Sequence, residues 1–219
     1  MSRICIARSR NIAFARYALP FERIDDPRGW TVEVFQRYWA HSITISIAYF
    51  IIIKCIQSYM EKRGPFPLKT TLFLWNTALA VFSIVGFIRI SEDFFQSLYT
   101  NGIYFSFCYS CHPNDVAAFW SFLFAISKVV ELGDTLFIVL RKKPLSFLHY
   151  YHHAAVLVYT VHSGAENAAP GRAFITMNYF AHSAMYTYYA LTSSGLKLPR
   201  WVSFLQPKTN RNLKNRFSL

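Results

Sequence analysis

Phe147-Leu148-His149-Tyr150-Tyr151-His152-His153-Ala154-Ala155-Val156-Leu157-Val158-Tyr159 is the stretch whose reading decides the fold. Helical spacing sets His149 on one face with His152 and His153, because residues three and four apart are neighbours on a helix. The run that carries them is apolar enough for lipid or for the core of a membrane protein. Polar side chains are costly in hydrocarbon, and where they occur there they line a cavity or a reaction path. Three imidazoles on such a helix therefore mark a site, and the helix itself predicts a membrane bundle.

Composition points the same way. The 219 residues are 53% hydrophobic, 18% aromatic and 16% charged, against about 25% charged in soluble globular chains. Several apolar windows approach the ~20 residues that cross a bilayer. The expected fold class is all-α, a polytopic membrane helix bundle of about five transmembrane helices. The spans fall near residues 39–58, 70–90, 116–140, 146–162 and 173–192. A polar and basic lead-in over 1–37 precedes a transmembrane domain over 38–195, and a basic tail follows over 196–219. The connector over 91–114 holds Glu92 and Asp93, no Lys or Arg, and many aromatic residues, so it is expected to lie at the interface or re-enter.

A net charge of +12 raises the question of nucleic acid. The basic residues are spread over the N-terminus, short loops and the tail rather than gathered on one face, which argues against it. They read as topology signals and anion contacts. Loops 61–69 and 141–145 and the tail are basic, whereas 91–115 and 163–172 are not. The positive-inside rule then puts the tail in the cytoplasm and residue 1 across the membrane, although the arginines ahead of the first span oppose this. Arg3, Arg8, Arg10 and Arg16, with no acid among residues 1–20, fit a targeting presequence or an unusual start. Cys108-Tyr109-Ser110-Cys111-His112 matches the C-x-x-C-H pattern of covalent haem, but no surrounding domain would wrap a haem. Free thiols are the simpler reading, followed by a local disulfide.

The third span carries Lys128-Val129-Val130-Glu131-Leu132-Gly133-Asp134-Thr135. On one continuous helix Lys128, Glu131 and Thr135 share a face, with Asp134 beside it. Each charge at mid-bilayer opposes insertion by about 2.5–3.5 kcal/mol, while each Leu, Ile, Phe or Val returns about 0.3–0.6 kcal/mol. The charges must therefore pair with one another or meet the histidine helix. In the fifth span Asn178, His182, Met185, Tyr186 and Tyr189 form one stripe, which brings a fourth imidazole toward the first three. A neutral imidazole is a base near neutral pH and an acyl-transfer nucleophile. An apolar tunnel floored by imidazoles suits a fatty acyl thioester. Its polar carrier would stay at a basic rim near Lys69, Arg141, Lys142 and Lys143.

These residues resemble the ELO fatty-acid elongases over roughly residues 21–203. Lys128-x-x-Glu131-x-x-Asp134-Thr135, His149-x-x-His152-His153 and His182-x-x-Met185-Tyr186-x-Tyr188-Tyr189 are similar to three boxes of that family in order and spacing. Met177-Asn178-Tyr179 looks like the branch that acts on saturated and monounsaturated chains. The resemblance implies a very-long-chain 3-oxoacyl-CoA synthase of the endoplasmic reticulum membrane, multi-pass. Such an enzyme condenses acyl-CoA with malonyl-CoA and releases CoA and carbon dioxide. It further implies that His152 takes the acyl group as an acyl-imidazole and that His149 and His153 position it. His182 and Asn178 would orient substrate or hold the enolate oxygen. Glu131 and Asp134 would fix imidazole tautomers, with Lys128 balancing their charge. Substrate contacts would fall to Met185, Tyr186, Tyr189 and the basic rim. No cofactor and no metal are implied. The expected partners are membrane lipid, elongase homo- or hetero-oligomers, and the reductases and dehydratase of the elongation cycle.

The family resembles a seven-span design, and here similarity fades after Trp201-Val202-Ser203. A truncated form is the expectation, with a catalytically inactive membrane partner of full-length elongases as the alternative. A di-iron desaturase or hydroxylase also uses H-x-x-H-H, but such sites need about eight histidines by analogy with that family, and this chain has seven, with His41, His112 and His162 outside the clusters.

Overall fold

The computed structural model describes residues 18–22, 27–108, 115–166, 168 and 170–196. A 3-10 turn over Pro20–Glu22 is followed by α1 (Pro27–Glu61), α2 (Lys69–Cys108), α3 (Asp115–Val130), α4 (Gly133–Leu140), α5 (Phe147–Ala165) and α6 (Gly171–Ser194). No strand occurs among the described residues. Pro27 occupies the first helical position of α1, where its missing N–H leaves nothing unsatisfied. Gly195 ends α6 at φ 99°, the left-handed conformation that glycine adopts without a Cβ penalty. Over Glu33–Glu61 and Lys69–Tyr104, α1 and α2 are each long and apolar enough to cross a membrane.

α1 packs along α5 and α2 along α6, while α3 and α4 lie between these two pairs. Hydrophobic burial cannot hold helices together in lipid, so close packing and buried polar contacts must do it. Three glycine–aromatic contacts supply that approach. A Cβ added at Gly86, Gly133 or Gly164 would lie within 3 Å of the Tyr179, Trp75 or Phe35 ring respectively. Ile90, Val116, Ala117, Trp120, Phe124 and Tyr179 form the largest buried cluster, joining α2, α3 and α6. The Tyr179 hydroxyl donates to the Trp120 carbonyl at 3.0 Å, so this deep ring leaves no orphaned oxygen.

Three boundaries differ from the sequence reading. α1 begins inside the segment read as a polar lead-in. The connector over 91–114 is helical as far as Cys108; within it Ser91 and Thr100 bond back into their own helix and Asp93 pairs with Arg172 at 3.0 Å. Gly102, at φ 79° and ψ 170°, kinks it near its end. The third span is two helices rather than one: the chain turns at Glu131 and Leu132 before α4 begins. The presumed continuous face of Lys128, Glu131 and Thr135 is therefore interrupted in the middle of the charged motif. Residues 1–17, Cys111, His112 and the tail from residue 197 lie outside the described residues, and with them the presequence, the C-x-x-C-H motif and the basic tail.

The bundle has two chemically distinct ends. At one, Glu22 is fully buried and accepts from the Arg89 guanidinium, from the Trp120 indole at 2.8 Å and from the Leu19 N–H at 2.9 Å. Burial raises the Glu22 pKa, but these donors outweigh it and hold the carboxyl below its ordinary value. At the other end Phe66 N–H donates to the Leu140 carbonyl at 3.1 Å and Lys142 Nζ to the Glu61 carbonyl at 3.2 Å. Lys69 Nζ approaches Gly195 there, 3.8 Å from where a Cβ would stand. The basic loops thus share one end, and residues 18–22 sit at the other.

Candidate active site

The break between α3 and α4 sets out the site. Lys128 lies in the last turn of α3, Glu131 occupies the turn between the helices, and Asp134 and Thr135 lie in the first turn of α4. Lys128, Glu131 and Thr135 are buried. Lys128 Nζ bonds both Glu131 oxygens, at 2.8 and 3.0 Å, and donates to Asn178 Oδ1 at 2.9 Å. Ser127 Oγ adds a bond of 3.1 Å to Glu131. Two charges stripped of water are tolerable only with such complete pairing. A broken helix at membrane depth is likewise tolerated where it is enclosed by protein or lines a cavity.

Glu131 also faces α6. His182 Nδ1 stands 3.4 Å from Glu131 Oε1, at ion-pair distance and without a formed hydrogen bond. The same stripe of α6 carries Asn178 to Lys128 and Tyr186 to Asp134, the Tyr186 hydroxyl donating to Asp134 Oδ2 at 2.6 Å. Met185 and Tyr189 pack with Trp75 against Leu79, Ala80 and Tyr186. All five residues read as one stripe are therefore on the face of α6 turned toward α2 and the α3–α4 break.

On α5 the His149 and His153 rings lie 4.5 Å apart and the His152 and His153 rings 6.0 Å apart. His149 and His153 are half-buried and His152 is exposed. His152 lies within electrostatic reach of His182, Lys128 and Glu131, and His153 within reach of Glu131 and His182. The two histidine helices therefore address a common region across the α3–α4 break. His149 Nε2 and His182 Nδ1 are buried without a hydrogen-bond partner, an arrangement that leaves donor or acceptor capacity for a ligand. Among the described residues no three His, Cys, Asp or Glu side chains gather in a metal-binding arrangement.

The rim and the second carboxylate differ in placement from the rest. Lys69, Lys142 and Lys143 are exposed and Arg141 is half-buried, all at the basic end of the bundle. Asp134 meets no imidazole through a hydrogen bond. Its oxygens accept from Trp75 Nε1 at 2.7 Å and from Tyr186. Thr135 Oγ1 shares a hydrogen bond of 2.6 Å with the Tyr49 hydroxyl. Trp75 and Tyr49 were not singled out in the sequence. An indole N–H or phenol in an apolar helix needs a buried partner, which is the signal that marks both.

A groove of about 680 Å³ runs between α1 and α5, lined by Ser46, Phe50, Tyr151, Ala155, Tyr159 and His162 among others. It flanks the histidine helix along its apolar side.

Comparison with known proteins adds to this geometry. The ELO family, described as GNS1/SUR4 family, matches residues 34–206. The chain is 64% identical over 187 residues to the Caenorhabditis elegans protein named Putative fatty acid elongase 4, covering 85% of this chain and 64% of that one. It is 46% identical over 189 residues to Putative fatty acid elongase 3 of the same organism, covering 85% and 59%. It is also 42% identical over 172 residues to Very long chain fatty acid elongase 3 of Homo sapiens, covering 78% and 64%. The chain thus spans roughly three fifths of the length of these curated relatives.

Proposed function

Because the chain belongs to the ELO family, whose multi-span membrane architecture it shares, we propose that it takes part in fatty-acid elongation as the condensing enzyme, a very-long-chain 3-oxoacyl-CoA synthase of the endoplasmic reticulum membrane. The observation that carries the reading is the buried relay in which Lys128 joins Glu131 to Asn178 while Glu131 lies against His182, within electrostatic reach of His152.

Acyl transfer begins with a neutral His152 nitrogen attacking the thioester carbon of a long-chain acyl-CoA. The carbon–sulfur bond breaks, the imidazole proton passes to the thiolate, and CoA leaves as the thiol. His152 then carries the acyl group as an acyl-imidazole. Malonyl-CoA loses carbon dioxide, and the enolate so formed attacks the acyl carbon. The carbon–nitrogen bond breaks, 3-oxoacyl-CoA departs, and the imidazolate left behind takes up a proton from solvent, the one proton that the overall reaction consumes. Exposure of His152 supports access by a bulky substrate. His182 and Asn178 face the region where the enolate oxygen forms, and Lys128 and Glu131 hold them in place. The exposed Lys69, Lys142 and Lys143, with Arg141, suit the CoA phosphates, and on this reading that end faces the cytoplasm. Saturated or monounsaturated acyl chains are the proposed substrate class.

The test uses the chain in microsomal membranes with radiolabelled malonyl-CoA and acyl-CoAs of graded length. The expected result is labelled 3-oxoacyl-CoA and release of carbon dioxide. A folded, membrane-inserted chain that forms neither overturns the proposal.

A further inference from the structure

The turn between α3 and α4 is held from a neighbouring helix. Trp75 of α2 donates its indole N–H to Asp134 Oδ1 at 2.7 Å. Its ring covers Gly133, where an added Cβ would stand 2.8 Å from Cζ2 and 3.0 Å from Cη2. The same ring lies 5.4 Å from that of Phe137, one turn further along α4. The second Asp134 oxygen takes the Tyr186 hydroxyl at 2.6 Å, and the Tyr186 ring lies 5.4 Å from that of His182. Asp134 is bound in turn to the residue that matters, because its N–H donates to the Glu131 carbonyl at 3.0 Å. A single carboxylate therefore ties α2 and α6 to the turn that carries Glu131.

We infer that Trp75 is a positioning residue for the Glu131–His182 pair, its indole N–H and ring face together fixing the turn that presents Glu131 to His182. Two features single it out. A hydrogen bond alone would be met by any donor, and a packing role alone would not need the N–H. Gly133 is the other half of the fit, since only a residue without a Cβ admits the indole so close. The catalytic consequence rests on the proposed function, whereas the placement of His182 does not.

The experiment is therefore read on His182 directly. Diethyl pyrocarbonate acylates accessible neutral imidazoles, and mass spectrometry of the labelled full chain in detergent reports each histidine separately. His182 has a side-chain exposure of 14% and His162, an internal control remote from Trp75 in sequence and half open to solvent at 52%, reports general loosening. Trp75→Phe, which keeps a ring and deletes the N–H, should raise the His182 labelling rate about threefold or more with His162 within twofold. Gly133→Ala should do the same by displacing the indole. Phe lacks the Cζ2 and Cη2 atoms that the alanine meets, so Trp75→Phe with Gly133→Ala together should be no worse than Trp75→Phe alone. Unchanged His182 labelling in both single variants overturns the inference, as does equal loosening at His162 or plain additivity in the double variant. If Trp75→Phe fails to yield monodisperse protein, Gly133→Ala carries the same decision. Condensation is assayed in parallel, and Trp75→Phe should lose about tenfold in kcat with KM within twofold. An unsubstituted chain that does not condense overturns the proposed function, and the labelling result still decides the role of Trp75.

Discussion

The α3–α4 break and the histidine helix α5 face one another across the same region and are built in opposite ways. At the break almost every polar atom is spoken for: Lys128, Glu131, Asp134 and Thr135 all have short partners on α1, α2, α3 or α6. On α5 the imidazoles have one another for company, His149 Nε2 is buried without a partner, and His152 is exposed. The difference separates two jobs. A saturated network resists rearrangement and fixes geometry, whereas a side chain with spare valence and access is free to react. His182 stands between the two classes, 3.4 Å from Glu131 yet without a formed hydrogen bond.

Substitutions on the two sides should therefore fail differently. The largest effect is expected for His152→Ala, with condensation falling about 10⁴-fold while thermal unfolding in detergent stays near that of the parent; near-normal turnover would remove His152 as nucleophile. On the saturated side, Glu131→Ala leaves Lys128 buried without its counter-charge, and stability should fall by about 3–5 kcal/mol. Replacing both, as Lys128→Met with Glu131→Leu, should recover much of that stability but no activity. A double variant that is no more stable than Glu131→Ala would show that the pair is not coupled.

Glu22 offers a control, a buried carboxylate equally well paired but at the end of the bundle away from the basic loops. Its folded pKa lies below the unfolded value, so its stabilisation is present above the ordinary carboxylate range and is lost as pH falls through the folded pKa. Glu22→Gln should lower stability near neutral pH by about 1–3 kcal/mol and flatten this acid limb, leaving turnover per folded molecule unchanged. A turnover loss matching that of Glu131 variants would merge the two regions. The smallest effect is expected for Tyr49→Phe, which removes the hydroxyl partner of Thr135. Unfolding should shift by about 1 kcal/mol, and a larger loss confined to activity would bring α1 into the site.

Much of this was legible in the chain. The H-x-x-H-H helix, the Lys128–Glu131 pairing and the α6 stripe all rest on local spacing, which a helix converts directly into shared faces. The helix break was not legible, because the apolar run over 116–140 reads as one uninterrupted span. Nor was the length of α2, since an aromatic, acid-bearing connector looks like an interface segment until Arg172 is seen to pair with Asp93. Asp134 was the instructive case: spacing set it beside the Lys128–Glu131–Thr135 face, the family resemblance implied an imidazole for it, and packing gave it Trp75 and Tyr186.

The sequence by itself determined that this is a membrane helix bundle and which polar side chains must meet inside it, because hydrocarbon makes every unpaired charge or imidazole costly. Only the tertiary structure decided who meets whom. Asp134 reaches partners 59 and 52 positions away, and the first of these pairings goes with how closely the Trp75 indole settles on Gly133, just as α2 and α6 meet where the Tyr179 ring settles on Gly86. Those contacts depend on the relative placement of whole helices, which local spacing does not encode.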